Sequence, residues 1–127
     1  MEEPGQGRAL KVLIADDLAS IREALKTMFA LIGGLEVVGE AANGEEAIRL
    51  TRALSPDVVV MDLEMPVLSG LEAARRIKES CPDCRVVVLT IHEDEEERRM
   101  AGLAGVDAFV TKGAPIEELL AGIRGDL

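Results

Sequence analysis

The sequence predicts a three-layer, doubly wound α/β domain, with a five-stranded parallel sheet between two layers of helices. Three observations predict it. Five short apolar runs recur along the 127 residues, each followed by a stretch with helical periodicity. Two of the runs, Val58–Met61 and Val86–Leu89, are apolar throughout instead of alternating, as strands buried on both faces must be. The connections are short, so the repeated β-α order closes into right-handed crossovers over one sheet.

Each element has its own signal. The first strand is Leu10–Ala15. The first helix follows, with Ile21, Leu25, Met28, Phe29 and Ile32 on one buried face at three-to-four spacing. Gly33-Gly34 ends it with the residue type that tolerates a left-handed cap. The second strand is Leu35–Ala41. Asn43 with Glu46 then places a cap residue three before a carboxylate, the capping-box spacing of a helix start. The third strand is Asp57–Met61, and Ser69 with Glu72 repeats the capping spacing before the third helix. The fourth strand is Arg85–Leu89, and Glu93–Glu97 bring negative charge to the N-terminus of the fourth helix, where the macrodipole favours it. The fifth strand is Asp107–Val110. Pro115 falls in the first turn of the last helix, whose apolar face is Ile116, Leu119, Leu120 and Ile123. Residues 1–9 read as a flexible N-terminal segment and 10–127 as one domain. No repeat or linker interrupts it. Periodicity leaves strand order open; the flavodoxin-like 2-1-3-4-5 is one common solution.

Composition narrows the function classes. At 48% hydrophobic and 30% charged residues, the chain can build a core and is not a disordered segment. A net charge of −10, with no Trp or Tyr, offers neither a basic surface nor stacking platforms, so direct nucleic-acid contact is not expected. No apolar run approaches the roughly 18 residues of a membrane span, and the polar, acidic start does not read as a signal peptide. The expected location is cytoplasmic. Cys81 and Cys84 form a lone C-x-x-C that leads into a strand, not a helix, and it reads as a loop instead of a redox or zinc motif.

The chemistry collects at the carboxyl ends of the strands, where open parallel sheets bind ligands. Asp16-Asp17 follow the first strand, Asp62 the third, Thr90 the fourth and Lys112 the fifth. Three converging carboxylates cannot all stay ionised without a cation. Oxygen ligands without histidine favour Mg²⁺, which leaves coordination positions for phosphate oxygens. One Lys and one hydroxyl suit a bound phosphoryl group, and an Asp carboxylate can itself be its acceptor. Taken singly, each residue has a plainer reading: Asp17 as a helix cap, Phe109 as core, Lys112 as a surface lysine, Thr90 as a β-branched strand residue, Met65-Pro66 as a turn.

Asp16-Asp17, Asp62-x-x-Met65-Pro66 with Gly70, Thr90 and Lys112, each in order at a strand end, resemble the receiver domain of two-component response regulators. The resemblance runs from about Lys11 to Arg124. Val87–Thr90 and Ala104–Lys112 look most like the NarL/FixJ (LuxR-type) subfamily. It implies the 2-1-3-4-5 order, Asp62 as phosphoacceptor, and Thr90 and Lys112 as its partners. It also implies Mg²⁺ held by Asp16, Asp17, Asp62 and the Glu64 carbonyl, with Asp17 the more direct ligand and Asp16 acting partly through water. Phe109 corresponds to the aromatic that swings inward when Thr90 moves. Glu64, Ile91 and His92 correspond to positions that tune phosphorylation kinetics, and bulky Ile91 stands where the family has a small residue. Gly113 replaces a proline often found after the lysine, where the family has a cis peptide.

The implied function is a signalling switch, not an enzyme with a turnover substrate. A sensor histidine kinase would be the phosphodonor. The face of the fourth helix, fifth strand and fifth helix, or that of the first and fifth helices, would be a homodimer surface. The NarL/FixJ subfamily usually adds a DNA-binding LuxR-type helix-turn-helix after the receiver, which would make transcription the output, so the chain is expected to be a stand-alone receiver or the N-terminal domain of a longer regulator. Two competing classes are a receiver-like fold that no longer switches and an aspartyl-phosphate hydrolase of the haloacid-dehalogenase type. Against the hydrolase, the position two after Asp62 holds Glu64 where that class has a second Asp.

Overall fold

The computed structural model describes residues 8–91 and 94–126. Five strands, β1 (Leu10–Ala15), β2 (Leu35–Ala41), β3 (Val58–Met61), β4 (Arg85–Thr90) and β5 (Ala108–Thr111), form one sheet. The helices between and after them are α1 (Ala19–Ile32), α2 (Gly44–Leu54), α3 (Gly70–Ser80), α4 (Glu95–Leu103) and α5 (Ile116–Arg124). All strand pairs are parallel, in the order β2-β1-β3-β4-β5. The expected doubly wound architecture and strand order are both present.

The two faces of the sheet carry separate cores. Val12, Ile14, Val58, Val60, Val87 and Leu89 pack beneath Leu25 and Phe29 of α1 and Leu119 and Ile123 of α5. Leu13, Val59, Met61 and Val86 pack beneath Ala47 and Ile48 of α2 and Ala73, Ala74 and Ile77 of α3. Alternate residues of a continuous apolar strand thus serve opposite layers, which is why β3 shows no polar alternation.

Several expectations need correction. Asp57 and Asp107 lie just outside their strands; their backbone N–H groups still donate to the Lys11 and Val86 carbonyls, and their carboxylates accept the N–H of the same two residues, both at 2.8 Å. Ile32 is 37% exposed, not buried: the last turn of α1 overruns the sheet, and Leu31 beside it is 82% exposed. Gly33 and Gly34 then turn the chain back at positive φ, +83° and +80°. Pro115 is the N-cap of α5 and not within its first turn. The cap of α4 is Asp94, whose carboxylate accepts from the Glu96 and Glu97 N–H groups. Asn43 and Ser69 cap α2 and α3 as expected, though Glu46 reaches back to the Ala42 N–H instead of to Asn43. No peptide among the described residues is cis, so Lys112–Gly113 is trans. Without proline, trans is favoured by about 2.5–4 kcal/mol.

Candidate functional site

Backbone ladders carry the site residues to one edge. The sheet hydrogen bonding continues one residue past three strands: Asp16 N–H donates to the Ala41 carbonyl (3.0 Å), Asp62 N–H to Ala15 (3.0 Å) and Lys112 N–H to Thr90 (2.7 Å). Each functional side chain is therefore fixed by the strand that precedes it and by a neighbouring strand. Asp16, Asp17 and Asp62 each offer a carboxylate oxygen, and these oxygens lie within 4.8 Å of one another. Lys112 Nζ stands 3.0 Å from Asp16 Oδ2 and 3.5 Å from Asp62 Oδ2.

The three carboxylates differ in how far they are committed. Asp16 is buried, accepting from the Leu18 N–H through Oδ1 (2.9 Å) and from Lys112 through Oδ2 (3.0 Å). Asp17 is exposed and makes no hydrogen bond or ion pair among the described residues. It does not cap α1 either: the N-cap is Leu18, which offers no side-chain acceptor. Asp62 is 9% exposed, and its Oδ1 accepts from the Glu64 N–H at 3.3 Å.

Electrostatics follow from this packing. Burial raises the pKa of Asp62; the Lys112 charge and the Glu64 N–H lower it, Asp16 raises it further, and the net shift is upward. For Lys112, burial pulls downward, but the hydrogen bond to Asp16 and the charges of Asp62 and Asp16 outweigh it, and its pKa rises. Three carboxylates against one ammonium leave two negative charges uncompensated. An all-oxygen set with that deficit fits a hard divalent cation.

Thr90 is fully buried at the end of β4, and Ile91, the next residue, is 69% exposed. Phe109 is half-buried on β5 with the Arg98 guanidinium 4.5 Å above its ring. Glu64 is exposed. His92 lies outside the described residues.

Two supporting residues, Arg22 and Gly44, have no signal in the sequence, and Gly70 has a structural reason that the sequence does not show. Arg22 donates to the Asp16 carbonyl (2.6 Å) while its Nε holds Glu40 (3.0 Å), bracing the end of β1 against β2. Gly70 N–H donates to the Leu63 carbonyl (2.8 Å), and a Cβ at Gly70 would stand 2.0 Å from the Asp62 carbonyl oxygen. Gly70 belongs to the motif that carries the family resemblance, and this close approach is its physical reason. Gly44 does the same for the far side of the loop, where a Cβ would meet the Leu68 carbonyl at 2.3 Å. Only a residue without a side chain fits either place, and contacts of this kind leave no periodic signal. The loop between them contains a tight turn in which Leu68 N–H donates to the Pro66 carbonyl (2.7 Å) around Val67 at φ +69°. Beside it opens a groove of about 620 Å³, floored by Leu63, Met65, Leu71 and Met100 and edged by Asp17 and Glu64.

Comparisons with known proteins agree with this geometry. Residues 12–124 match the family model described as the response regulator receiver domain. The chain is 44% identical to the response regulator GacA of Pseudomonas aeruginosa over 115 residues, 91% of this chain and 54% of that protein. It is 36% identical to the response regulator UvrY of Escherichia coli, covering 91% of this chain and 53% of that one. The chain thus spans about half the length of the curated relatives it matches. A LuxR-family response regulator from Aurantimonas superposes with a TM-score of 0.87 at 34% identity, covering 93% of this chain and 84% of that one. The receiver domain of a NarL response regulator from Mycobacterium tuberculosis gives 0.88 at 27% identity, with 94% and 96% covered.

Proposed function

Because the chain belongs to the response regulator receiver domain family, we propose that it is a phosphorylation-dependent switch whose acceptor is Asp62. The reading rests on one juxtaposition: a nearly buried carboxylate at the end of β3, within reach of two further carboxylates and a lysine ammonium. A carboxylate oxygen of Asp62 attacks the phosphorus of a phosphohistidine on a sensor kinase. The P–N bond breaks, its electron pair leaves on the imidazole, and an acyl phosphate remains.

Mg²⁺, when bound, neutralises phosphoryl oxygens during transfer. Asp17, Asp62 and the Glu64 carbonyl would hold it, with Asp16 acting through water. The commitments of the side chains support that division, since both Asp16 oxygens already have protein donors while Asp17 has none among the described residues. Lys112 pairs with Asp16 and Asp62 and exchanges this contact for phosphoryl oxygens. The Thr90 hydroxyl turns toward the same group. Phe109 and Thr90 share a face of the sheet, since Ala108 and Val110 on one strand and Leu89 on the other face the α1/α5 core. Movement of Thr90 therefore opens room on the side where Phe109 lies. Throwing the equilibrium from mostly off to mostly on requires roughly 5.5 kcal/mol of differential stabilisation. The face of α4, β5 and α5, or that of α1 and α5, then changes its homodimer or partner preference.

Ile91, beside the site and largely exposed, slows phosphoryl entry or loss; Glu64 and His92 tune the same rates. The relatives are about twice as long, and one of them, from Bacillus subtilis, is named a transcriptional regulatory protein, which supports transcriptional control as the output of a longer protein. Among the described residues no helix is long and apolar enough to cross a membrane.

The test is beryllofluoride with Mg²⁺, a stable phosphoryl mimic. Amide shifts in α4 and β5 should move on its addition and stay put with either component alone. Unchanged shifts and unchanged sedimentation would favour a static receiver-like module.

A further inference from the structure

We propose that Arg98 is a positioning residue that latches Phe109 in its resting place and thereby seats α4 on the sheet, an inference that rests on the switch reading above. α4 is weakly held. Of its nine residues only Ala101 is buried, and Gly102 sits in its interior with nothing within 4 Å of a Cβ. Such an element belongs to the low-stability end of a fold. Its exposed arginines are used differently. Arg99 is tied to Glu96 one turn earlier, a contact within the helix that anchors nothing else. Arg98 makes no ion pair among the described residues and instead lies over the Phe109 ring, 4.5 Å from its centroid. That distance is well inside the cation–π range.

The contact joins α4 to β5 through the aromatic expected to move. Rotating Phe109 inward takes the ring from under the guanidinium. Arg98 therefore favours the resting state, and its release loosens α4 when the switch is thrown. The neighbouring charges Glu95, Glu96 and Glu97 lie on the same helix but hold no hydrogen bond to Arg98. An exposed cation–π contact corresponds to about a two- to fivefold bias.

Two measurements test this on wild type, Arg98→Lys and Arg98→Gln, each also in a Phe109→Leu background: the equilibrium affinity for beryllofluoride in Mg²⁺, and amide exchange across α4 without ligand. Arg98→Gln should tighten apparent beryllofluoride binding about two- to fivefold, because the competent state is more populated. Its α4 exchange should quicken by a similar factor. Arg98→Lys should keep much of the wild-type behaviour. In the Phe109→Leu background Arg98→Gln should change neither quantity. Unchanged affinity in Arg98→Gln, or an equal effect with Leu at position 109, overturns the latch. Failure of the wild type to bind beryllofluoride overturns the switch reading, and the exchange arm then decides the Arg98–Phe109 contact alone: quickening that needs Phe109 upholds it, and no quickening removes it.

Discussion

Replacing Gly70 by alanine would strike the acceptor through its backbone. The added Cβ would lie 2.0 Å from the Asp62 carbonyl oxygen and 2.8 Å from Leu63 Cα, both well inside van der Waals contact and both backbone atoms that cannot rotate away. The start of α3 and the β3–α3 loop must separate by on the order of 1 Å, the kind of overpacking that costs about 1–3 kcal/mol. Alanine's helix propensity offsets at most about 1 kcal/mol of this. A net loss of about 1–2 kcal/mol lowers Tm by roughly 3–10 °C at this chain length. Displacing Asp62 by that distance should also slow its phosphorylation by a small donor, by up to about 100-fold. Gly102→Ala is the control, since its Cβ meets nothing within 4 Å and α4 should gain about 0.5–1 kcal/mol. The assays are thermal unfolding by circular dichroism and the initial phosphorylation rate. If Gly70→Ala melts and phosphorylates like wild type, the close approach of α3 to the acceptor backbone is not as described.

Val67→Gly should stabilise the domain by about 0.5–1 kcal/mol in urea titration, because a 72%-exposed β-branched residue at φ +69° gives up strain and little packing; a loss of stability would refute that. Burial pushes the Cys84 thiol up to about 12, so a thiol reagent at pH 8 should label Cys81 in the native protein and spare Cys84. Peptide mapping that finds both labelled equally would contradict it. For Asp62 the folded pKa is raised, so its contribution to stability is present below the unfolded value of about 3.9 and is lost as pH rises through the folded one. In EDTA at neutral pH, Asp62→Asn should therefore be more stable than wild type, with the gain shrinking toward pH 4. A gain that is absent at neutral pH or grows on acidification would oppose this.

The sequence carried most of the architecture because strands buried on both faces leave unmistakable Val-rich runs, and polar residues at their ends mark the ligand edge. Asp16, Asp17, Asp62 and Lys112 were legible for that reason, although the first and last are 96 residues apart. Boundaries slipped by one residue at Asp57 and Asp107, which close the entry to β3 and β5 with side-chain as well as backbone bonds to a neighbouring strand. Ile32 kept helical periodicity beyond the point where the sheet could cover it. Arg22, Gly44, the reason for Gly70, and the Arg98–Phe109 contact were not legible. Each depends on what another part of the chain brings alongside, and none has a local pattern.

The central claim concerns Asp62 and is tested most directly by intact-mass spectrometry after incubation with phosphoramidate. Wild type should gain one phosphate in Mg²⁺ and none in EDTA, the adduct should be released by hydroxylamine as an acyl phosphate is, and Asp62→Asn should gain none. A phosphate that appears equally on Asp62→Asn, or equally without Mg²⁺, would contradict the account.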